Sequence, residues 1–233
     1  RDLFEYVSNI QFALKFKQKY IKAPSETKLE SRLINLESIP SKYWTTFINF
    51  IDSKKTIIFD LEGTLITACS KGVGVKLKVS DDCEDIYIKA RPHLASTLKK
   101  LSQEFEIVVF TSMIPSVANV IIDYIDPEKK YISYVICRDR CLMTVNGHYV
   151  KDLRIIKNRS LANMVIVDDS PYSYCMQVDN AVPIIKYHGD PKDRELKFLT
   201  QYLLELAHVE DVRAFNGDRL KLNEIIQTDF FAK

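Results

Sequence analysis

Three short runs of β-branched and aromatic residues, each stopping at a hydroxyl or a carboxylate, restrict the fold of this chain more than any other feature. Thr56-Ile57-Ile58-Phe59 stops at Asp60, Ile107-Val108-Val109-Phe110 at Thr111, and Met164-Val165-Ile166-Val167 at Asp168. A run this apolar, without alternating polar positions, belongs to a strand buried on both faces. Helical patterns lie between them: Leu94, Leu98 and Leu101 share a face, then Val117, Val120, Ile121 and Tyr124, and later Phe198, Tyr202, Leu203 and Leu206. Strand alternating with helix predicts parallel strands joined by right-handed crossovers, an α/β three-layer sandwich around a central parallel sheet. Ligands in such sheets bind beyond the carboxyl ends of the strands, so Asp60, Thr111 and Asp168 are expected at one edge.

One stretch breaks the alternation. Between Thr67 and Lys89, Val75, Leu77 and Val79 and then Ile86 and Ile88 alternate around Ser80-Asp81-Asp82, which reads as a small β-hairpin inserted after the first strand. It follows the loop at Asp60 directly and is expected to shape the mouth there. Too small to form a closed lid, it leaves room for a protein loop or tail. Residues 1–53 read as a helical N-terminal extension. Phe4, Val7, Ile10 and Leu14 recur at helical spacing, Ala23-Pro24-Ser25 ends that helix, and Tyr43, Trp44, Phe47, Phe50 and Ile51 form an apolar cluster; the extension is expected to cover the domain edge or to bind a partner, with packing favoured because an exposed aromatic cluster is costly. The α/β domain is assigned to residues 54–215 and a C-terminal tail to 216–233.

Composition narrows the partners only slightly. The 33 basic and 31 acidic residues among 233 leave a formal charge of +2, which gives no reason to expect direct nucleic-acid binding. Cys69, Cys83, Cys137, Cys141 and Cys175 lack the paired spacing of a zinc site or a disulfide framework and read as reduced thiols of an intracellular protein, nuclear or cytoplasmic. No apolar stretch approaches the roughly 18 residues of a membrane span. The chain opens at Arg1, which reads as a trimmed fragment.

The chemistry is carried by Asp60, Glu62 and Thr64 after the first strand, Thr111 and Ser112 after the second, Lys151, and the pair Asp168-Asp169. Any one of them alone would be an ordinary cap or surface charge. Together they supply a nucleophile, donors for phosphate oxygens, a proton carrier and several clustered carboxylates. Lys151 offsets only one of those negative charges. A divalent cation is therefore expected, and an all-oxygen ligand set suits Mg2+.

These residues also carry a family resemblance. Phe59-Asp60-Leu61-Glu62-Gly63-Thr64-Leu65 resembles the first signature of the haloacid-dehalogenase-like phosphatases, whose fold is Rossmann-like. Lys89-Ala90-Arg91-Pro92-His93, Phe110-Thr111-Ser112, Gly147-His148-Tyr149-Val150-Lys151-Asp152-Leu153 and Val167-Asp168-Asp169-Ser170-Pro171 are similar to motifs of the small phosphatases of the RNA polymerase II C-terminal domain. Asn180-Ala181-Val182-Pro183 and Val209-Glu210-Asp211-Val212-Arg213 extend the likeness. The resemblance implies a protein serine/threonine phosphatase in which Asp60 attacks phosphorus and Glu62 serves as general acid and base. Asp60, Asp169 and the main-chain carbonyl of Glu62 would hold Mg2+, Asp168 would orient a metal-bound water, and Thr64, Thr111, Ser112 and Lys151 would grip the phosphate. The implied substrate is a phosphorylated protein segment, such as a tail like the polymerase C-terminal domain.

The sequence departs from that family beside the chemistry. Glu62 stands where Asp is usual, and its extra methylene displaces the carboxyl by more than about 1 Å, a shift that can cost about 10²-fold in rate. Gly63 replaces a usual Glu and is expected to let the loop reposition Glu62. Asp169 replaces a usual Asn, which should tighten cation binding and weaken attraction for the phosphate dianion. The alternative reading is a catalytically poor pseudophosphatase that serves as a protein- or peptide-binding module. A small-molecule phosphatase would be expected to carry a larger cap.

Overall fold

A computed structural model describes residues 54–81, 83–144 and 147–227, together with Ile34. The helix and the aromatic cluster expected within residues 1–53 lie outside the described residues, save that Ile34 pairs with Ile156 as a short parallel bridge.

The three apolar runs are the centre of a five-stranded parallel sheet. β1 (Lys55–Phe59) lies between β9 (Met164–Asp168) and β5 (Phe105–Phe110), with β10 (Ala181–Pro183) and β6 (Ile132–Ile136) at the margins. Neighbouring residues on each strand serve different cores. Ile57, Phe59, Ile107, Val109, Val165 and Val167 face a cluster to which α1 (Leu94–Glu104), α2 (Pro115–Ile125) and α3 (Glu195–Leu206) contribute, together with Val212. Ile58, Val108, Phe110 and Ile166 face the other way, onto Leu153, Ile155, Tyr174, Cys175 and Val178. Among the described residues, this second layer is built largely of short 3₁₀ turns rather than long helices. No described helix is long and apolar enough to cross a membrane.

The inserted hairpin is larger than the alternation predicts. β3 (Val75–Leu77) pairs antiparallel with β4 (Ile86–Ala90) as expected, but β2 (Ile66–Ala68) pairs on the other side of β4 and makes a three-stranded sheet. Three residues are too few to show an alternating pattern. A second hairpin, β7 (Leu142–Met143) with β8 (Tyr149–Val150), is shorter still and leads straight into Lys151.

Two further expectations are corrected. α3 buries Leu196, Thr200, Leu203 and Leu206, whereas Phe198 is 55% exposed, its ring beneath the guanidinium of Arg194. The boundary drawn at residue 215 falls inside α4 (Val212–Leu220). Buried Asn216 on that helix donates to the carbonyls of Asp179 and Ala181, and Leu222, opening α5 (Leu222–Gln227), packs into the second core. The mean polarity of this stretch conceals the buried asparagine and the single leucine that dock it.

Candidate active site

Parallel strands deliver their terminal polar residues to one edge, and the main chain holds them there. Asp60 follows β1 with its amide bonded to the carbonyl of Val167 on β9, and Thr111 follows β5 with its amide bonded to Ile136 on β6. Asp168 ends β9. Asp60, Asp168 and Asp169 each present a carboxylate oxygen within 4.8 Å of the others.

Lys151 reaches the same point from β8, its amide donating to the carbonyl of Ser173 at 2.7 Å. The side chain is buried and its ammonium bridges Asp60 Oδ1 at 2.5 Å and Asp168 Oδ2 at 2.7 Å. The turn after it is pinned by buried Asp152, which accepts from the Arg154 amide, the Arg154 guanidinium and Gln177 Nε2. Burial alone would raise the Asp152 carboxyl, but the Arg154 hydrogen bonds prevail and hold it below the usual carboxylate range.

Crowding of charge is visible in the proton affinities. Burial pushes Asp60 up to about 7, helped by repulsion from Asp168 and Asp169 and opposed by Lys151. Burial and then Asp168 push Asp169 up to about 6, while Lys186 and Lys151 pull it down. Burial works to discharge Lys151, yet Asp168 and Asp60 outweigh it and raise its pKa. Both partners of the Lys151–Asp60 pair thus move up, which favours the charged form of Lys151 and disfavours that of Asp60. Lys151 gains two carboxylates, whereas Asp60 shares one ammonium with Asp168 and meets a third carboxylate as well.

The remaining sequence-selected residues surround this cluster without all joining it. Thr64 is buried and donates to Asp169 Oδ1 at 3.3 Å. The Thr111 hydroxyl accepts from the amide of Met113, and the Ser112 carbonyl accepts from the guanidinium of Arg138. The Glu62 carboxylate is outside the three-carboxylate group. It is bound instead to the insertion: its two oxygens accept from the Ala68 amide at 3.1 and 3.0 Å, and Thr67 Oγ1 donates to Oε1 at 3.3 Å.

Gly63 is tightly placed, contrary to the looseness expected of it. Its φ of +88° lies where L side chains rarely go, and a Cβ there would sit 2.6 Å from Asp169 Oδ1. Its amide donates to the Ile66 carbonyl, and its own carbonyl accepts from the amide of Tyr187. The glycine is what permits Asp169 to approach the loop.

Sequence reasoning passed over Arg91 as a site residue, although it lies within a quoted motif. Its buried guanidinium forms a bidentate pair with Asp193 at 2.9 and 2.8 Å. It also donates to the carbonyls of Thr64 and Ile185, at 3.2 and 2.7 Å. It thereby ties the loop after β1 to the segment after β10. Lys186, 3.8 Å from Asp169 Oδ2, was also missed. An arginine directly before a proline at the end of an inserted strand was the available signal for the first; nothing local marked the second.

A parallel α/β sheet with three carboxylates and a buried lysine at its strand ends defines a class of domain suited to phosphate and divalent-cation chemistry. The sequence profile of the NLI interacting factor-like phosphatases matches residues 55–213, and the chain belongs to that family. It is 35% identical over 207 residues to nuclear envelope morphology protein 1 of Schizosaccharomyces pombe, covering 86% of this chain and 43% of that protein. It is 40% identical over 141 residues to CTD small phosphatase-like protein 2 of Dictyostelium discoideum, covering 60% of this chain and 24% of that protein. The human CTD small phosphatase-like protein is 30% identical over 189 residues, 78% of this chain and 67% of that protein. The chain thus spans less than half the length of the first two relatives.

Proposed function

We propose that this domain is a magnesium-dependent phosphoprotein serine/threonine phosphatase working through an aspartyl-phosphate on Asp60. The observation that carries the reading is the buried Lys151 ammonium shared by Asp60 and Asp168 at the strand ends. It holds one Asp60 oxygen at a fixed place, as an in-line nucleophile requires. Family membership and the names of the relatives support the same reaction class.

The residues fit a hard divalent cation, since three carboxylates meet within 4.8 Å and two of them have raised proton affinities. Asp60, Asp169 and the main-chain carbonyl of Glu62 would hold Mg2+, with Asp168 beside them. When bound, the cation supplies positive charge that offsets the carboxylates and draws the phosphate.

In the reaction a carboxylate oxygen of Asp60 attacks phosphorus, and the bond from phosphorus to the seryl or threonyl oxygen breaks. The departing oxygen takes a proton from Glu62, and Lys151 balances charge building on the phosphoryl oxygens. Thr64, Thr111 and Ser112 contribute donors to that group. Water, losing its proton to Glu62, then attacks phosphorus, which releases inorganic phosphate and restores the Asp60 carboxylate. Glu62 must leave the Ala68 amide to do this, so turnover is expected to be slow.

The substrate assigned on this reading is a flexible phosphorylated segment of an intracellular protein, of the kind that the polymerase C-terminal domain represents, since the three-stranded insertion is too small to form a closed lid. The test is hydrolysis of an aryl phosphate with and without Mg2+. Slow, Mg2+-dependent turnover should vanish in Asp60→Asn and rise in Glu62→Asp. Equal silence of the folded unsubstituted chain and Asp60→Asn would establish a binding module instead.

A further inference from the structure

The three carboxylates at the strand ends do not share their cations evenly. Lys151 serves Asp60 and Asp168 from a buried position. Asp169 faces a different ammonium, that of Lys186, 3.8 Å from its Oδ2. Lys186 follows β10, whose Pro183 stands opposite Asp168 on β9, so adjacent parallel strands bring both side chains to the same edge. Asp169 is 8% exposed but Lys186 is 54% exposed, so the pair lies at the outer side of the buried cluster.

Taken as ionised, three carboxylates against two ammonium groups leave one negative charge in excess. A divalent cation turns that excess into one positive charge. Without Lys186 the loaded cluster is neutral. A phosphate dianion brought into this partly buried site feels the difference directly. Glu62 stays outside the count because its carboxylate is bound at Ala68, and Arg91 because its guanidinium is paired with Asp193.

We propose that Lys186 sets the charge of this site: paired with Asp169, it moderates the carboxylates' hold on the cation and gives the loaded cluster the positive charge that draws a phosphate dianion. The inference rests on the phosphatase reading and adds to it a residue that favours dianionic monoesters over singly charged diesters. Lys186 is a positioning residue that acts through the field of the cluster.

Two affinities of the 233-residue chain test this by calorimetry, that for Mg2+ alone and that for inorganic phosphate in saturating Mg2+. Lys186→Met should bind Mg2+ about threefold to tenfold more tightly and phosphate about threefold to tenfold more weakly. Lost packing would not produce opposite signs. Lys186→Arg should keep both affinities near their starting values. Lys186→Met combined with Asp169→Asn removes one charge of each sign and should return phosphate affinity toward that of the unsubstituted chain. Affinities that stay unchanged in Lys186→Met, or move in the same direction, overturn the proposal and leave the phosphatase reading intact. An unsubstituted chain that binds no phosphate in Mg2+ overturns both.

Discussion

Both carboxylate oxygens of Glu62 accept from the backbone amide of Ala68, at 3.1 and 3.0 Å. The extra methylene relative to aspartate lets the side chain reach β2, and the same length draws its carboxyl out of the Asp60–Asp168–Asp169 group. The proton carrier of the proposed reaction is thus docked on the insertion, which couples the mouth of the site to its chemistry.

Shortening this residue should release it. Glu62→Asp is expected to raise kcat on an aryl phosphate by about tenfold, and Glu62→Gln, which can neither give nor take the proton, to lower it by about 10²–10³-fold. Steady-state kinetics at saturating Mg2+ measures both. A Glu62→Gln variant as active as the unsubstituted chain would remove Glu62 from the mechanism.

Gly63→Ala should lose stability and metal affinity together. The backbone at φ +88° strains any side chain, and the new methyl would press on Asp169 at 2.6 Å. A loss of about 1–3 kcal/mol is expected from chemical denaturation, with weaker Mg2+ binding by calorimetry. Normal Mg2+ affinity in this variant would show that Asp169 does not need the space above Gly63.

Arg91→Met should be among the most damaging substitutions. It strands the carboxylate of Asp193, 12% exposed, and removes the donors to the Thr64 and Ile185 carbonyls. Breaking one side of such a pair costs about 3–5 kcal/mol. Adding Asp193→Leu should recover part of the stability in urea melts, whereas activity should stay low because the loop after β1 has lost its tie. Full recovery of activity would contradict that role.

Metal affinity should depend on pH with a definite sign. Asp60 and Asp169, raised by burial to about 7 and about 6, hold protons that a cation must displace. Mg2+ binding should therefore weaken as pH falls through about 7 and weaken further through about 6. Calorimetry at pH 6 in buffers of different ionisation enthalpy should show protons released on binding. Affinity that is flat between pH 8 and pH 5.5, with no proton release, would exclude these two carboxylates as ligands.

The central strands were readable because burial on both faces writes an unbroken apolar run, and the run stops where the chain leaves the sheet at Asp60, Thr111 and Asp168. Lys151 carries no such mark. It follows a two-residue strand that has no legible pattern, so the sequence selected the residue by its charge but gave no strand to place it. β2 escaped for the same reason. Phe198 was assigned to the buried face of α3 on hydrophobicity alone, although Leu196 and Thr200 occupy that face. The dependence of Gly63 on Asp169 joins residues 106 positions apart, and the Arg91–Asp193 pair spans 102. Such couplings exist only once the chain has folded, so no local period could announce them.

The account stands or falls on where the phosphoryl group goes. The most direct measurement is to mix the chain with a phosphoserine peptide and Mg2+, quench, reduce with borohydride and locate the modified residue by mass spectrometry. Reduction of an aspartyl-phosphate leaves homoserine, and the account predicts homoserine at position 60 and nowhere else. Mg2+-dependent release of phosphate with position 60 unmodified, and the same rate in Asp60→Asn, would contradict it.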